Sequence, residues 1–451
     1  MTIQERRLTG RLMSVAICLL MAAGFSSDAA GQNNPEKKPA PYRYPNECDP
    51  TISPKIPTTV FPILEQYPAN CFSWDSFFAL NWPAMSAGVP DTKKKLGEPG
   101  PVVWETYRDS DTVFLPDGAE PKPWGADFDL QNVHGRILKQ PAKSRPGVPH
   151  LHLVNEAAPT VDSWLIARNG TVTLFEKLVN KTEFDYILSN GFYSAANQHA
   201  AMGSDKKGVN QPAGSIEIKA AWMQLTKEAN PDWSIFLTTK AMIPSKFPVV
   251  PAGEPNATPF VEATMGLVAI HIIHKLPNAP QYIWSTFEHK DNCPDATDEN
   301  VDRDYNYYNP KFQLQNFNLA PLKNPNQVKR VTKLPGIVTQ INAKAHAAVR
   351  KYEETENVKT PFANYILVNT QWPSDAVVVP PAARAPLPNG NMIPRTLLNT
   401  MLETYVQDKY ISCIDCHVGA TIANDRNGNP SSFGSDYSFL YGLAQWPKKA
   451  E

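Results

Sequence analysis

The sequence predicts an α+β fold: a mainly antiparallel β-sheet with flanking helices, long proline-rich loops, and a C-terminal segment carrying the chain's most specific motif. Three observations point there. Between residues 160 and 290, apolar runs in partly alternating pattern are separated by turn signals. Two stretches, 335–354 and 395–410, repeat apolar residues at helical spacing. The 451 residues include 43 prolines against 23 glycines, which suits stiff, irregular connections better than a helical bundle. At 42% hydrophobic and 50.0 kDa, the chain is large enough for one big domain or two to three ordinary ones.

Arg6, Arg7 and Arg11 precede the apolar "LMSVAICLLMAAGF" (12–25), and Ser27-Asp28-Ala29 is a small-x-small cleavage pattern, so residues 1–29 are expected to be a signal peptide. The apolar run is too short to span a bilayer, and Ile17 before Cys18 argues against a lipidated cysteine. Cleavage removes three basic and two acidic residues from 43 and 44, leaving a net charge of −2. The expectations that follow are a periplasmic or secreted chain, no membrane span in the mature protein, an oxidising compartment for the cysteines, and no nucleic-acid partner.

The remaining chain divides into a Pro-rich leader (30–60), a β-rich body (61–333) and a helical segment with the C-terminal attachment region (334–451). "CFSWDSFFALNWP" (71–83) is a short buried helix ended by its proline. "WLIARNGTVTLFEKLV" (164–179) is a hairpin about Asn169-Gly170. Asn180 caps the helix that follows, with Glu183 at the capping-box position. Strands are expected at 214–226, 232–243, 266–275 and 282–291, the last two joined by a six-residue, proline-containing connection. Residues 335–354 form a helix with Ile337, Ile341, Ala345, Ala348 and Tyr352 on one face. "ANYILVNTQWP" is a strand, 373–391 a proline-rich loop, and 395–410 a helix with Leu398, Met401, Leu402 and Tyr405 on one side.

That last helix leads into "YISCIDCHVGA" (410–420), with only 34 residues after the histidine. Cys413, Cys416 and His417 are spaced C-x-x-C-H. Two thiols three positions apart reach the two vinyl groups of a haem, and the adjacent imidazole meets its iron. Structural zinc needs a second close ligand pair, and Cys48, Cys71 and Cys293 are far apart. A thioredoxin-like dithiol sits after a strand and opens a helix, whereas here a helix comes first. One covalent haem c is therefore expected, with Cys413 and Cys416 as thioether anchors and His417 as the proximal iron ligand. Cys48 and Cys71, 23 residues apart, can form a disulfide; Cys293 can pair with either or stand alone.

No Met, His or Lys suited to the sixth iron position follows His417 until Lys448 and Lys449, so a distal ligand must come from upstream. His271 and His274 in "AIHIIHK" are the candidates. Strand alternation puts them on opposite faces, so at most one faces the haem, and an ordinary core histidine is the plainer reading of each. His289 is a further candidate, Met401 reads as core or haem-wall packing, and a five-coordinate iron stays open. In "GSIEIKAAW", Glu217 and Lys219 read as a solvated face or an ion pair, or as polar groups aimed into the haem pocket.

"SCIDCH" with "DYSFL", "WDSFFALNWP", "GSIEIKAAW", "IHIIHK", "IWSTFEHKDN" and "TQWP" resembles a group of exported bacterial cytochrome c family proteins across most of residues 60–446. More distantly, the motif order resembles the β-sheet cytochromes c-prime and the lysine-cross-linked haem c oxidases of hydroxylamine. Gly214, Lys219 and Trp222 match their strand motif, and Cys413, Cys416, His417, Asp436, Tyr437 and Phe439 their terminal one. The chain departs from that pattern by about 120 residues between hairpin and motif, and by 18 between His417 and Asp436. The resemblance implies one haem and a sheet-plus-terminal-haem architecture, and no cross-linking lysine is carried over. The expected function is haem binding and electron transfer with a redox partner protein or a small-molecule donor or acceptor. The alternatives are a haem oxidoreductase with an open distal site, acting on a small nitrogen compound or peroxide, and a haem-based gas-binding protein.

Overall fold

The apolar runs between residues 164 and 290 pair as one antiparallel sheet in the computed structural model of the chain, which describes residues 48–59, 65–126, 136–138, 164–202, 208–247, 256–312, 317–319, 325–373, 392–407 and 411–448. The expected signal peptide, the start of the leader and the proline-rich loop after Pro373 lie outside the described residues. In chain order the elements are α1 (Gln66–Leu80), β1 (Ala84–Ser86), β2 (Val89–Pro90), β3 (Arg108–Asp109), α2 (Ser110–Val113), β4 (Leu174–Val179), α3 (Lys181–Ser189), α4 (Ala195–Ala201), β5 (Ile216–Gln224), β6 (Thr238–Pro244), β7 (Phe260–Leu276), β8 (Ala279–His289), α5 (Gly336–Glu356), β9 (Tyr365–Pro373), β10 (Met392–Ile393) and α6 (Cys413–His417). β1 and β2 form a separate hairpin. The others make an eight-stranded sheet in the order β10-β9-β8-β7-β5-β4-β3, with β6 on the first half of β7. The α+β class is thus observed.

β7 is long because it serves two partners: β6 along Phe260–Gly266 and β8 along Ala269–Leu276, while β5 runs on its other side. The connection between β7 and β8 is two residues, Pro277-Asn278, rather than six, because Leu276 already pairs with Ala279. Proline presets the backbone for such a turn. The Asn169-Gly170 turn forms as expected, with Gly170 at φ +80 and the Asn169 side chain accepting from the Thr171 N–H.

One face of the sheet is covered by α1 and α5. Thirteen of the fifteen α1 residues are buried, so this helix is a core element rather than an amphipathic one. Some of its polar groups tie it to its neighbours, while Asn70 Nδ2 and Ser76 Oγ are buried without a partner among the described residues. The Ser73 hydroxyl meets those of Ser285 and Thr370 at 2.7 and 2.6 Å, and the Trp74 indole N–H donates to Asn342 on α5. Asn342 in turn donates to the Leu367 carbonyl, tying α5 to β9. α1 starts at Gln66, earlier than the expected 71, and stops at Leu80 before Trp82-Pro83. A disulfide joins Cys48 to Cys71, pinning the preceding segment to α1, and Cys293 is buried and unbridged.

The other face is covered by the terminal segment, 396–448. Here one expectation fails: residues 395–407 are not an α-helix but turns and a short 3-10 stretch, Thr404–Val406. Side chains take over the backbone donors. The Asn399 carboxamide oxygen accepts from Met401 and Leu402 N–H groups, Glu403 accepts from the Asn399 N–H, and Glu288 on β8 accepts from the Thr400 N–H. Asn and Thr compete with helix in this way. The described residues belong to a unit spanning Pro45–Glu451, and β9, which lies past residue 333, pairs with β8 within it. No described helix is long and apolar enough to cross a membrane.

Candidate functional site

α6 is one turn of helix laid on the sheet face left open by α1 and α5. The Ser412 hydroxyl donates to Asp415 at 2.7 Å and the Gln371 side chain on β9 accepts from the Ile414 N–H at 3.1 Å. Ile414 packs among Ile273, Tyr282, Trp284 and Tyr437, which fixes the rotation of the turn. Ile414 and His417 then face inward, while Cys413 and Cys416 lie half-buried on the outer side.

His417 is held at both nitrogens. Nδ1 donates to the Tyr437 carbonyl at 2.7 Å, and Nε2 faces the Lys219 ammonium at 3.3 Å, so the proton sits on Nδ1 and Nε2 presents its lone pair. The Tyr437 carbonyl reaches this position because Asp436 and Tyr437 both take left-handed backbone conformations, φ +54 and +66. For a tyrosine this conformation is uncommon and is sustained only where the surroundings impose it. Trp284 and Phe439 pack on the imidazole at 4.6 and 4.9 Å between ring centres.

A narrow cleft opens beside His417, lined also by Cys413, Cys416, Ser412, Trp284, Leu398, His271 and Glu403. His271 on β7 pairs in register with Lys219 on β5, so both look to this side of the sheet, and His271 Nε2 lies 3.0 Å from a Glu403 carboxylate oxygen. His274 looks the other way. It packs on Phe72 of α1, away from the cleft, and burial pushes its pKa down to about 4, so it is neutral at physiological pH. Of the two distal candidates, only His271 is in the cleft. His289 is also elsewhere, stacked on Phe236 at 4.3 Å, and Met401 is core, packed with Ala221, Val268 and Ala269.

Glu217 and Lys219 are not a solvated face; both are buried, and Lys219 is aimed at the site. Trp284, Glu403 and Tyr437 escaped the reading of the sequence as site residues. Tyr437 had a signal, since it follows the motif as part of "DY", but its contribution is a carbonyl, which side-chain patterns do not reveal. Among the described residues, no group of three or more His, Cys, Asp or Glu side chains is arranged to hold a metal ion by itself.

The donor set suits a haem. The imidazole is oriented through Nδ1 by a backbone carbonyl, which fixes the tautomer and ring orientation as a histidine ligand requires. Cys413 and Cys416 line the same cleft, whose walls combine Trp284 and Leu398 with the polar Ser412, His271 and Glu403. Lys219 is the side chain that would have to withdraw as a metal took the Nε2 lone pair. No protein-family profile matches this chain, and neither a curated protein nor a solved structure matches it.

Proposed function

We propose that the chain is an exported monohaem c-type cytochrome that transfers electrons. The observation that carries this reading is the presentation of His417: Nδ1 is tied to the Tyr437 carbonyl, leaving the Nε2 lone pair toward Lys219, and the ring lines one cleft together with Cys413 and Cys416. In this role the two cysteines anchor the porphyrin through thioethers and His417 binds the iron on its proximal side. Bound haem supplies a one-electron couple whose potential depends on axial ligand, hydrogen bonding and burial. This chain's own residues set those terms: Tyr437 orients the imidazole, Trp284 and Phe439 exclude water from it, and Lys219 and His271 place polar groups on the same sheet face.

The paired His271 and Glu403 favour a second reading. A histidine backed by a carboxylate in the cleft is a competent acid–base pair, which suits a haem oxidoreductase acting on a small nitrogen compound or peroxide at an open distal side. A gas-binding protein needs the same open side without turnover.

Expression with export and c-type maturation, followed by intact-mass measurement and a pyridine haemochrome assay, tests the reading. The expected result is one haem per chain, retained after denaturation and lost in the Cys413→Ser/Cys416→Ser double variant. Stoichiometric covalent haem in that variant overturns it. Carbon monoxide binding by the reduced protein selects the open-site readings; its absence selects electron transfer alone.

A further inference from the structure

On the Nδ1 side of His417 lies a second cluster that the haem reading does not use. Asn180 caps α3 by accepting from the Glu183 N–H, and also accepts from the Ile216 N–H and donates to the Gly214 carbonyl. The first turn of α3 is therefore fixed to the start of β5. Glu183 does not close the capping box, because the Asn180 N–H donates instead to the Ile216 carbonyl. Its carboxyl turns inward against Glu217 of β5 and the Gln211 amide. Glu183 is completely buried and Glu217 is 3% exposed. Among the described residues, neither Glu183 carboxyl oxygen has a hydrogen-bond partner of sound geometry, nor do the two ends of the Gln211 amide or the Tyr282 and Tyr441 hydroxyls. Two ionised carboxylates in contact, out of water and short of donors, are not sustainable, and a shared proton is the low-energy state. Burial first, and then the neighbouring Glu217 charge, holds the Glu183 carboxyl well above the usual carboxylate range.

The pair is connected to the imidazole. Ser438 donates to Glu217, and Asp436 faces Glu183. These two residues flank Tyr437, whose carbonyl accepts the His417 Nδ1–H. Lys219, two positions from Glu217 on the same face of β5, stands at Nε2. We propose that Glu183 and Glu217 form a proton-holding pair linked to the redox state of the group on His417. When that group gains one electron from an external one-electron donor, the pair takes one proton from solvent, and it releases that proton on reoxidation. Net charge in the interior then stays constant. The inference rests on the haem reading.

The titratable groups that act on the pair are Lys219 from β5, Tyr282 from β8, and Asp436 and Tyr441 from the terminal segment; Asp436 in turn meets Lys275 from β7 and Tyr186 from α3. Asp436 is paired with Lys275 at 2.5 Å, and its side chain is 11% exposed, which makes it the member on the solvent side.

Two measurements on the full chain separate the parts. Infrared spectra at neutral pH are expected to show a protonated-carboxyl C=O stretch that disappears in Glu183→Gln. No such band in the parent, or a band unchanged in both Glu183→Gln and Glu217→Gln, overturns the proton-holding pair whether or not haem is present. In the haem-loaded protein, the midpoint potential is expected to fall as pH rises through neutrality. The electron-binding equilibrium should change by up to tenfold per pH unit, about 59 mV, and either variant should flatten that slope at least by half. A pH-independent potential in the parent overturns the redox link without needing a folded variant, and so does a slope unchanged in both variants. A chain that takes up no covalent haem overturns the functional reading, and the redox link with it, while the infrared result still decides whether the pair holds a proton.

Discussion

His271 and His274 sit three positions apart on β7, and their different surroundings follow from the two-residue period of a strand. His271 meets Glu403 in the cleft, while His274 is buried against Phe72 with its Nδ1 unpartnered. His274 and His289 are both pushed by burial to about 4, so each is neutral in the fold and gains a proton more readily in the unfolded chain. The unfolded state therefore binds more protons between about pH 6.5 and 4. Stability is expected to be intact above that window and lost as pH falls through it. The full shift of one such histidine corresponds to roughly 3 kcal/mol at most. Urea titrations at pH 7 and pH 4.5 measure the loss, and His274→Phe should remove a share of it; an unchanged pH difference in that variant would show that another group is responsible. Glu183 acts with the opposite sign. Its folded value is raised, so its contribution is complete below the ordinary carboxylate range and is lost as pH rises through the folded value. Glu183→Gln should accordingly stabilise the protein at alkaline pH relative to the parent, as read by the urea midpoint at pH 9.

Among the elements, α1 was legible because a dense aromatic run ended by Trp82-Pro83 admits little else. Its start was not, since Gln66–Asn70 join the helix through long-range contacts such as Gln66 with Asn369. The helix expected over 395–410 failed for a readable reason in hindsight. Asn399-Thr400 offers local acceptors, but Glu288, which takes the Thr400 N–H, is 112 residues away. Two tests address α1. Trp74→Ala empties a fully buried site and leaves Asn342 without its indole donor, at a cost of about 3–5 kcal/mol in urea unfolding. Reducing the Cys48–Cys71 bridge, which closes a loop with a sequence separation of 23, should cost about 3 kcal/mol on the loop-entropy model. A chain whose urea midpoint is the same with and without reductant would assign the bridge no share of stability.

For the molecule as a whole, the motif itself was plain in the sequence, while its surroundings depend on register. Lys219, His271 and Trp284 come from three strands, and only the pairing of Lys219 with His271 and of β7 with β8 brings them under α6. The long interval before the motif is filled by α5 and β9, which complete the sheet and its opposite cover, so the terminal residues dock on a surface already built. Residues after α6 are as necessary to the site as the motif, because Tyr437 orients His417, and Ile422, Leu440 and Tyr441 share a core with Val179, Phe184 and Ile187. A chain ending at Gly419 keeps Cys413, Cys416 and His417 but loses all of these contacts. Hydrogen exchange on that truncation should show lost protection in β4, α3 and α6, with α1 and α5 still protected by the cluster on the other face. Loss of protection in both layers together would instead mean that the two faces of the sheet fold as one cooperative unit. The site's integrity would then be inseparable from global stability rather than set by the terminal segment.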